Sequence, residues 1–562
     1  FQFTNAEGWV RYNQKYGAAD PFNALMQNID HMARQVAMAR KFGPDPEIAA
    51  DYLEQVLLSK ARNGDLGKIE LEKIKGNARL AKNMVRFMSG GVGPNGYFGA
   101  VSAKFFSTTR KLIQSALLDR AVIISVPSDM NSARMAAQAI EMNPANMLST
   151  YVGLMQDSLK GGGMTRDDLL RQGHIADSFA NPSSTSDRFN TEFPAAKWAH
   201  VLSNAAMQVQ GLMAHTDNLK MAFQKSFAGH FASMRGKAWA DLPEKLRNDM
   251  SARGGITEDD WNGFRLSGGE FTAQNGAVFL DPLYWRNASS LPDAERDALF
   301  WKFQAYVEKW TELAVPSQSL IAKGLMDPSS YGMAPGSVFY EVAKSAGMFK
   351  SFVGAFVMNQ VRMLNMRQGR LAKAAYLSEL IGTTTLVGAL GIQVNELLMG
   401  RDPRPMAEDS FLWQAMLRGG GLGPVGDILA QGSTSWGSGL PGYVAGPIPQ
   451  FAQDVSKLTF GNVAQAYFQA MDGKEIDTKF LQEFAKFQSR YTPMWQSPVA
   501  AGGAAFDRLI TDQLLMLLDP DAAKALATAA KRRTNLMGNQ AFWPPGAPIP
   551  QRAPDLGNAF SR

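Results

Sequence analysis

The stretch DPFNALMQNIDHMARQVAMARKFG, residues 20–43, constrains this chain to helix before any other feature does. Asp20-Pro21 is a helix start, because proline at the first helical position sacrifices no intrahelical bond, and Gly43 is a stop. Between them Phe22, Leu25, Ile29, Met32 and Val36 recur at spacings of three and four, which places them on one face of a 3.6-residue helix. DPEIAADYLEQVLLSKARNG repeats the same pattern from Asp45-Pro46 to Gly64. Further helical stretches are predicted at 68–89, 98–125, 130–142 and 146–160. Strict apolar/polar alternation is nearly absent, so a mainly α fold is expected.

Composition shifts divide the 562 residues into segments. An N-terminal helical module occupies 1–180, and SFANPSSTSDRFNTEFP at 178–194 has the composition of a loop. A helical connector follows at 193–250. Residues 251–335 form a mixed module, with short β-prone pieces beside Gly-Gly and Asn-Gly that predict a small hairpin near 255–285. Long amphipathic and apolar helices are expected at 336–400, and a Gly/Pro-rich loop region at 418–449 lies within a crossing segment, 401–450. A C-terminal helical module covers 451–535, and a Pro-rich extended tail at 536–562 is expected to lie on another surface. The whole reads as an extended multi-helix assembly. It opens on Phe1 with no basic-then-apolar leader, and an upstream domain would leave no trace in it.

The chain has no cysteine, which excludes disulfides, zinc–cysteine sites, iron–sulfur clusters and thiol nucleophiles. The histidines His31, His174, His200, His215 and His230 show no metal-ligand spacing and are expected at the surface or in packing. No G-x-S-x-G elbow or G-x-x-x-x-G-K-[ST] phosphate loop is present. Thr257 followed by Glu258, Asp259 and Asp260 reads as an N-cap with an acidic first turn rather than as a catalytic carboxylate pair. Gly421, Gly423 and Gly426 in RGGGLGPVGDILAQG spell G-x-G-x-x-G, but the preceding DSFLWQAMLR has helical rather than strand spacing. A dinucleotide fingerprint needs a strand before it and a helix after it. These glycines are therefore expected to form a tight turn between helices. No catalytic residue, metal or cofactor is implied.

Contact surfaces are the remaining possibility. In MFKSFVGAFVMNQVRMLNMRQGR, Phe349, Phe352, Phe356, Val357, Met363 and Leu364 share one side, and Lys350, Arg362, Arg367 and Arg370 mark the other. LIGTTTLVGALGIQVN at 380–395, with Leu386, Val387 and Leu390, carries no charge but falls short of the ~20 apolar residues a spanning helix needs. Both stretches are expected either as packed core helices or as elements that meet a membrane or partner. Lys73, Lys75, Arg79 and Lys82, interrupted by nearby Glu70 and Glu72, form either a solvated face or a contact for DNA. The net charge of +6 permits contact with DNA or anionic lipid without requiring it.

The C-terminal half carries a resemblance. GITEDDWNGFRL with GAVFLDPLYW, VPSQSLIAKGLM with APGSVFYEVAKSAGMFKSF, RGGGLGPVGDILAQG with GYVAGPIPQFAQDVSKLTFGN, and FDRLITDQLLMLLDPDA follow one another in order over 250–562. Together they resemble the C-terminal region of very large internal virion proteins, the DNA-ejection proteins of tailed and especially short-tailed bacteriophages. Val353 departs from the pattern, since the family has proline after FKSF. The resemblance implies a structural, non-catalytic virion component, stored as a homo-oligomer in the capsid core near the portal or tail. It also implies delivery with other ejection proteins to the host periplasm and inner membrane, where they build a conduit for the genomic DNA. Two alternatives stand beside it: a scaffold part of a larger phage polypeptide whose upstream domain degrades peptidoglycan, or a DNA-binding core protein of the virion.

Overall fold

The computed structural model describes residues 4–16, 21–63, 68–89, 93–94, 96–117, 121–159, 211–272, 278–315, 327–346, 350–419, 456, 504–518 and 522–561. They are mainly helical: α1 (Ala6–Tyr16), α2 (Pro21–Phe42), α3 (Pro46–Asn63), α4 (Lys68–Ser89), α5 (Gly96–Leu117), α6 (Ala121–Ala139) and α7 (Pro144–Leu159) in the first part. Then come α8 (Leu212–Met234), α9 (Glu244–Asp249), α10 (Glu258–Leu266), α11 (Pro282–Ala288) and α12 (Asp293–Ala314). The last group is α13 (Val338–Ala346), α14 (Lys350–Asn365), α15 (Arg370–Leu398), α16 (Asp409–Arg418), α17 (Asp512–Leu518) and α18 (Ala522–Met537). The sheet among the described residues is one antiparallel pair, β1 (Phe271–Thr272) and β2 (Val278–Phe279), with Phe271 opposite Phe279. The expected hairpin is thus present, as is the mainly α class.

Local chemistry accounts for several element ends. Thr257 and Asp260 form a capping box at the start of α10, the Asp260 amide donating to Thr257 Oγ1 and the Thr257 amide to the Asp260 carboxylate. This is the structural role expected for the acidic run. Asp281 caps α11 by accepting from the amides of Leu283 and Tyr284.

The principal core forms where aromatic side chains fall at helical spacing on two facing helices. Phe223, Phe227 and Phe231 on α8 meet Phe303, Tyr306 and Trp310 on α12, and Trp261, Phe264 and Trp285 close the cluster. Phe264 and Phe303 stack with ring centroids 3.9 Å apart. Each buried indole N–H has an acceptor: the Lys237 carbonyl for Trp261, the Phe264 carbonyl for Trp285 and the Asp249 carboxylate for Trp310. Without those acceptors each indole would carry a desolvation penalty of roughly 1–3 kcal/mol.

The same core takes in Ala136, Ile140 and Met147 from α6, the α6–α7 turn and α7, and Phe356, Met363, Tyr376 and Leu380 from α14 and α15. It therefore crosses the segment limits read from composition at 180, 250 and 335, which do not bound separate cores. Composition marks where loops lie, but covalent distance does not decide which apolar faces meet.

The apolar stripe of α2 is described in part. Ile29, Met32 and Val36 are exposed, while the side chains of Phe22 and Leu25 lie outside the described residues. Among the described side chains of α2, Met38 and Phe42 at its C-terminal end join a core, against Ala50 and Val85.

At the other end, residues 400–406 receive the Pro-rich tail. The Asp402 amide donates to the Gln540 carbonyl, the Met406 amide to the Ala559 carbonyl and the Trp543 amide to the Gly400 carbonyl. Ion pairs to buried carboxylates accompany these bonds. Glu396 accepts from Arg401 at 2.8 Å and Arg533 at 2.7 Å, and Asp402 accepts from Arg552 and from the Asp555 amide. Burial raises the Glu396 pKa, but the two guanidiniums and Asn539 outweigh it and hold the carboxyl below its ordinary value of 4.5. A depressed carboxylate contributes stability that is complete above the unfolded value and is lost as pH falls through the folded one. Acid titration of thermal stability should therefore show a loss below about pH 4.5 that Glu396→Gln flattens. An unchanged acid limb in the variant would remove this role.

Candidate interaction surfaces

The helix α15 carries the apolar segment singled out at 380–395, and it is longer than that segment, at 29 residues. By length and composition it is the candidate for a membrane-crossing helix among the described residues. Its faces differ. Tyr376, Leu380, Thr384, Val387 and Ile392 are buried, whereas Leu386 is 63% and Leu390 51% exposed. Leu371, Leu377, Ile381 and Val394 are also exposed. Of the three predicted contact residues, Leu386 and Leu390 thus face solvent, and Val387 is a packing residue.

The buried side of α15 rests on α16 at backbone distance. A Cβ built on Gly388 would lie 1.9 Å from the Ala415 carbonyl oxygen, and one on Gly419 would lie 1.7 Å from that of Thr384. Thr384 and Gly388 on one helix, and Ala415 within the other with Gly419 directly after it, are the small residues at i and i+4 that permit such contact. Thr384 Oγ1 is satisfied within its own helix by donating to the Leu380 carbonyl at 2.6 Å. Gly421, Gly423 and Gly426, expected to make the tight turn, lie outside the described residues.

On the α14 stripe, Phe349 and the side chains of Phe352 and Val357 lie outside the described residues. Phe356 is buried in the principal core with Met363, so it is not available to a partner. The amphipathic pattern at that position serves the interior because α12 and α15 flank the helix: Asn359 donates to the Glu312 carbonyl, and Tyr376 donates to Gln360.

The basic face of α4 is partly consumed by its own neighbours. Lys82 contacts Asp51 at 2.6 Å and Glu54 at 3.4 Å on α3, and Lys75 pairs with Glu72. The hydrogen bond to Asp51 raises the Lys82 pKa against the opposing effect of burial. Lys73 and Arg79 are exposed.

Two histidines occupy positions the sequence did not reveal. His215 is fully buried between the Tyr151 hydroxyl, 2.8 Å from Nδ1, and Asp129 Oδ2, 3.3 Å from Nε2. If the hydroxyl donates to Nδ1, Nε2–H donates to the carboxylate, and both ring nitrogens are used. Burial and then the Asp129 charge push the Tyr151 pKa up to about 12. The trio ties α6, α7 and α8 together. Its members stand 64 and 86 residues from His215, beyond any local signal. His230 Nε2 lies 3.1 Å from the Ile140 carbonyl, and burial lowers its pKa. His31 (side chain), His174 and His200 lie outside the described residues. Among the described residues, no group of three or more His, Asp or Glu is placed to hold a metal ion.

Fold and surfaces define a mainly α-helical chain with an aromatic core and several exposed apolar helix faces. No protein-family model matches the chain, and no curated protein or solved structure matches it.

Proposed function

We propose that this chain is a structural, non-catalytic component of a tailed-bacteriophage particle, an internal virion protein that self-associates and acts with other ejection proteins. In this reading it is stored in the capsid interior near the portal and delivered to the host envelope, where it helps form the path for the genome. The exposed apolar face of α15 carries the proposal. A 29-residue helix that presents Leu386, Leu390 and Val394 to solvent along one side, with Leu371, Leu377 and Ile381 exposed elsewhere on it, retains surface for a lipid or a sister chain. The ordered C-terminal motifs supply the phage context. Contact with DNA through α4 has less support, because Lys75 and Lys82 already have acidic partners.

The purified chain should form rings or tubes by negative-stain microscopy and float with liposomes. Leu386→Ser with Leu390→Ser should weaken flotation about tenfold or more, because each exposed leucine offers roughly 1.5–3 kcal/mol on burial. A strictly monomeric chain indifferent to liposomes and to co-purified virion proteins would overturn the reading.

A further inference from the structure

Helix α18 (Ala522–Met537) presents a face that is basic and open to solvent. Lys524, Thr528, Lys531, Arg532 and Asn535 are all exposed. They stand at i, i+4, i+7, i+8 and i+11, which is one side of an α-helix. The exposed alanines Ala525, Ala527 and Ala529 keep the flanks of that side slim. The partly covered side is the opposite one, and from it Arg533 donates to the buried Glu396 at 2.7 Å. Gly538, at φ 66°, ends the helix, its amide donating to the Thr534 carbonyl at 3.0 Å. The helix is therefore anchored from behind with its basic face outward.

Charge on this face is uncompensated. From Ala522 to Pro554 the sequence has no acidic residue. Arg533 and Arg552 in that run are paired with Glu396 and Asp402. Lys524, Lys531 and Arg532 form no ion pair among the described residues. The basic stretch of α4 differs, because Glu70 and Glu72 interrupt it and Lys75 and Lys82 have acidic partners. Three free cations on one rigid face call for a partner with closely spaced negative charges.

The rest of the helix narrows that partner. A lipid-surface helix carries a broad apolar side that enters the bilayer. Here the side opposite the cations holds Glu396, and Leu536 is the exposed large apolar residue of the helix. Single strands are held by stacking on aromatic rings, and α18 has none. A helix roughly 10–12 Å across fits the B-form major groove, about 12 Å wide, whereas the A-form groove is too narrow. Lys524 and Lys531 lie two turns apart, so one helix places cations along a strand that carries a phosphate every ~3.4 Å of axis. We infer that the exposed face of α18 binds the phosphate backbone of duplex DNA. The inference makes no use of α15, and each of the two readings can fail without the other.

Fluorescence anisotropy of the full chain with a labelled DNA duplex of random sequence, titrated with salt, tests it. Three phosphate contacts predict a slope near −2.7 for log affinity against log salt, or roughly a fortyfold loss between 50 and 200 mM. Lys524→Gln, Lys531→Gln and Arg532→Gln combined should weaken binding at about 50 mM salt at least tenfold and flatten the slope by about 2.7. Glutamine is a good helix former at exposed sites, so circular dichroism of this variant should match the parent. Lys73→Gln with Arg79→Gln on α4 should change neither affinity nor slope. Flotation with phosphatidylglycerol vesicles should be equal for the triple variant and the parent. Absence of duplex binding at low salt, or a triple variant with the affinity and slope of the parent, would overturn the inference. So would a loss that follows the α4 variant, stronger competition by oligothymidine or duplex RNA than by duplex DNA, or flotation that falls in the triple variant.

Discussion

Valine in place of Gly388 should separate α15 from α16 and lower folding stability by about 4 kcal/mol or more, at the severe end for a single substitution. The physical reason is that a single methyl already has no room. Its carbon would sit 1.9 Å from a carbonyl oxygen of the facing helix, and backbone cannot rotate aside as a side chain can. The Gly419 contact, at 1.7 Å, lies at the same crossing, so the helices would have to part at both points. Gly382 on the same helix is the control. An added Cβ there meets nothing within 4 Å, so Gly382→Ala should stabilise by roughly 0.5–1 kcal/mol through helix propensity alone. Urea denaturation of the two variants measures both effects. A mild Gly388→Val would mean that the crossing contributes little to the fold.

Arg110→Met should destabilise the chain by about 3–5 kcal/mol. The Arg110 guanidinium donates to the Glu341 carboxylate at 2.7 Å, the Glu341 carbonyl at 3.1 Å and Ser345 Oγ at 3.0 Å. Both charged side chains are essentially inaccessible, at 1% and 2%. Removal of one member takes a close opposite charge from the other while it stays buried, which costs more than the pair itself contributes. Arg110→Met with Glu341→Met should therefore recover part of the loss, and a double-mutant cycle gives the coupling directly. Additive single effects would show that the two side chains act independently. The pair fastens α5 to α13 across 231 residues of sequence, so its loss should loosen the N-terminal helices first. Hydrogen exchange in α3–α5 reads that order.

Much of the local architecture was legible because its causes are local. Asp-Pro and Gly mark the ends of α2, Thr257 with Asp260 marks the start of α10, and turn residues mark the hairpin. Each acts within one or two turns of its own position. The helix crossing was also written in the sequence, as small residues at 384 and 388 and again at 415 and 419. The Asp129–His215–Tyr151 trio and the Arg110–Glu341 pair had no such mark, because each member is an ordinary helical residue until a distant helix is placed beside it.

The sequence by itself determined that this chain is helical, where many helices begin and end, and which side of each is apolar. Hydrophobic period and capping chemistry depend only on neighbours along the chain. Only the tertiary structure decided which apolar sides are used. It buries Phe356 and Val387, leaves Leu386, Leu390 and, on α2, Ile29, Met32 and Val36 facing solvent, and pairs Lys82 with α3. Burial is a property of two surfaces, and a periodic pattern specifies only one of them.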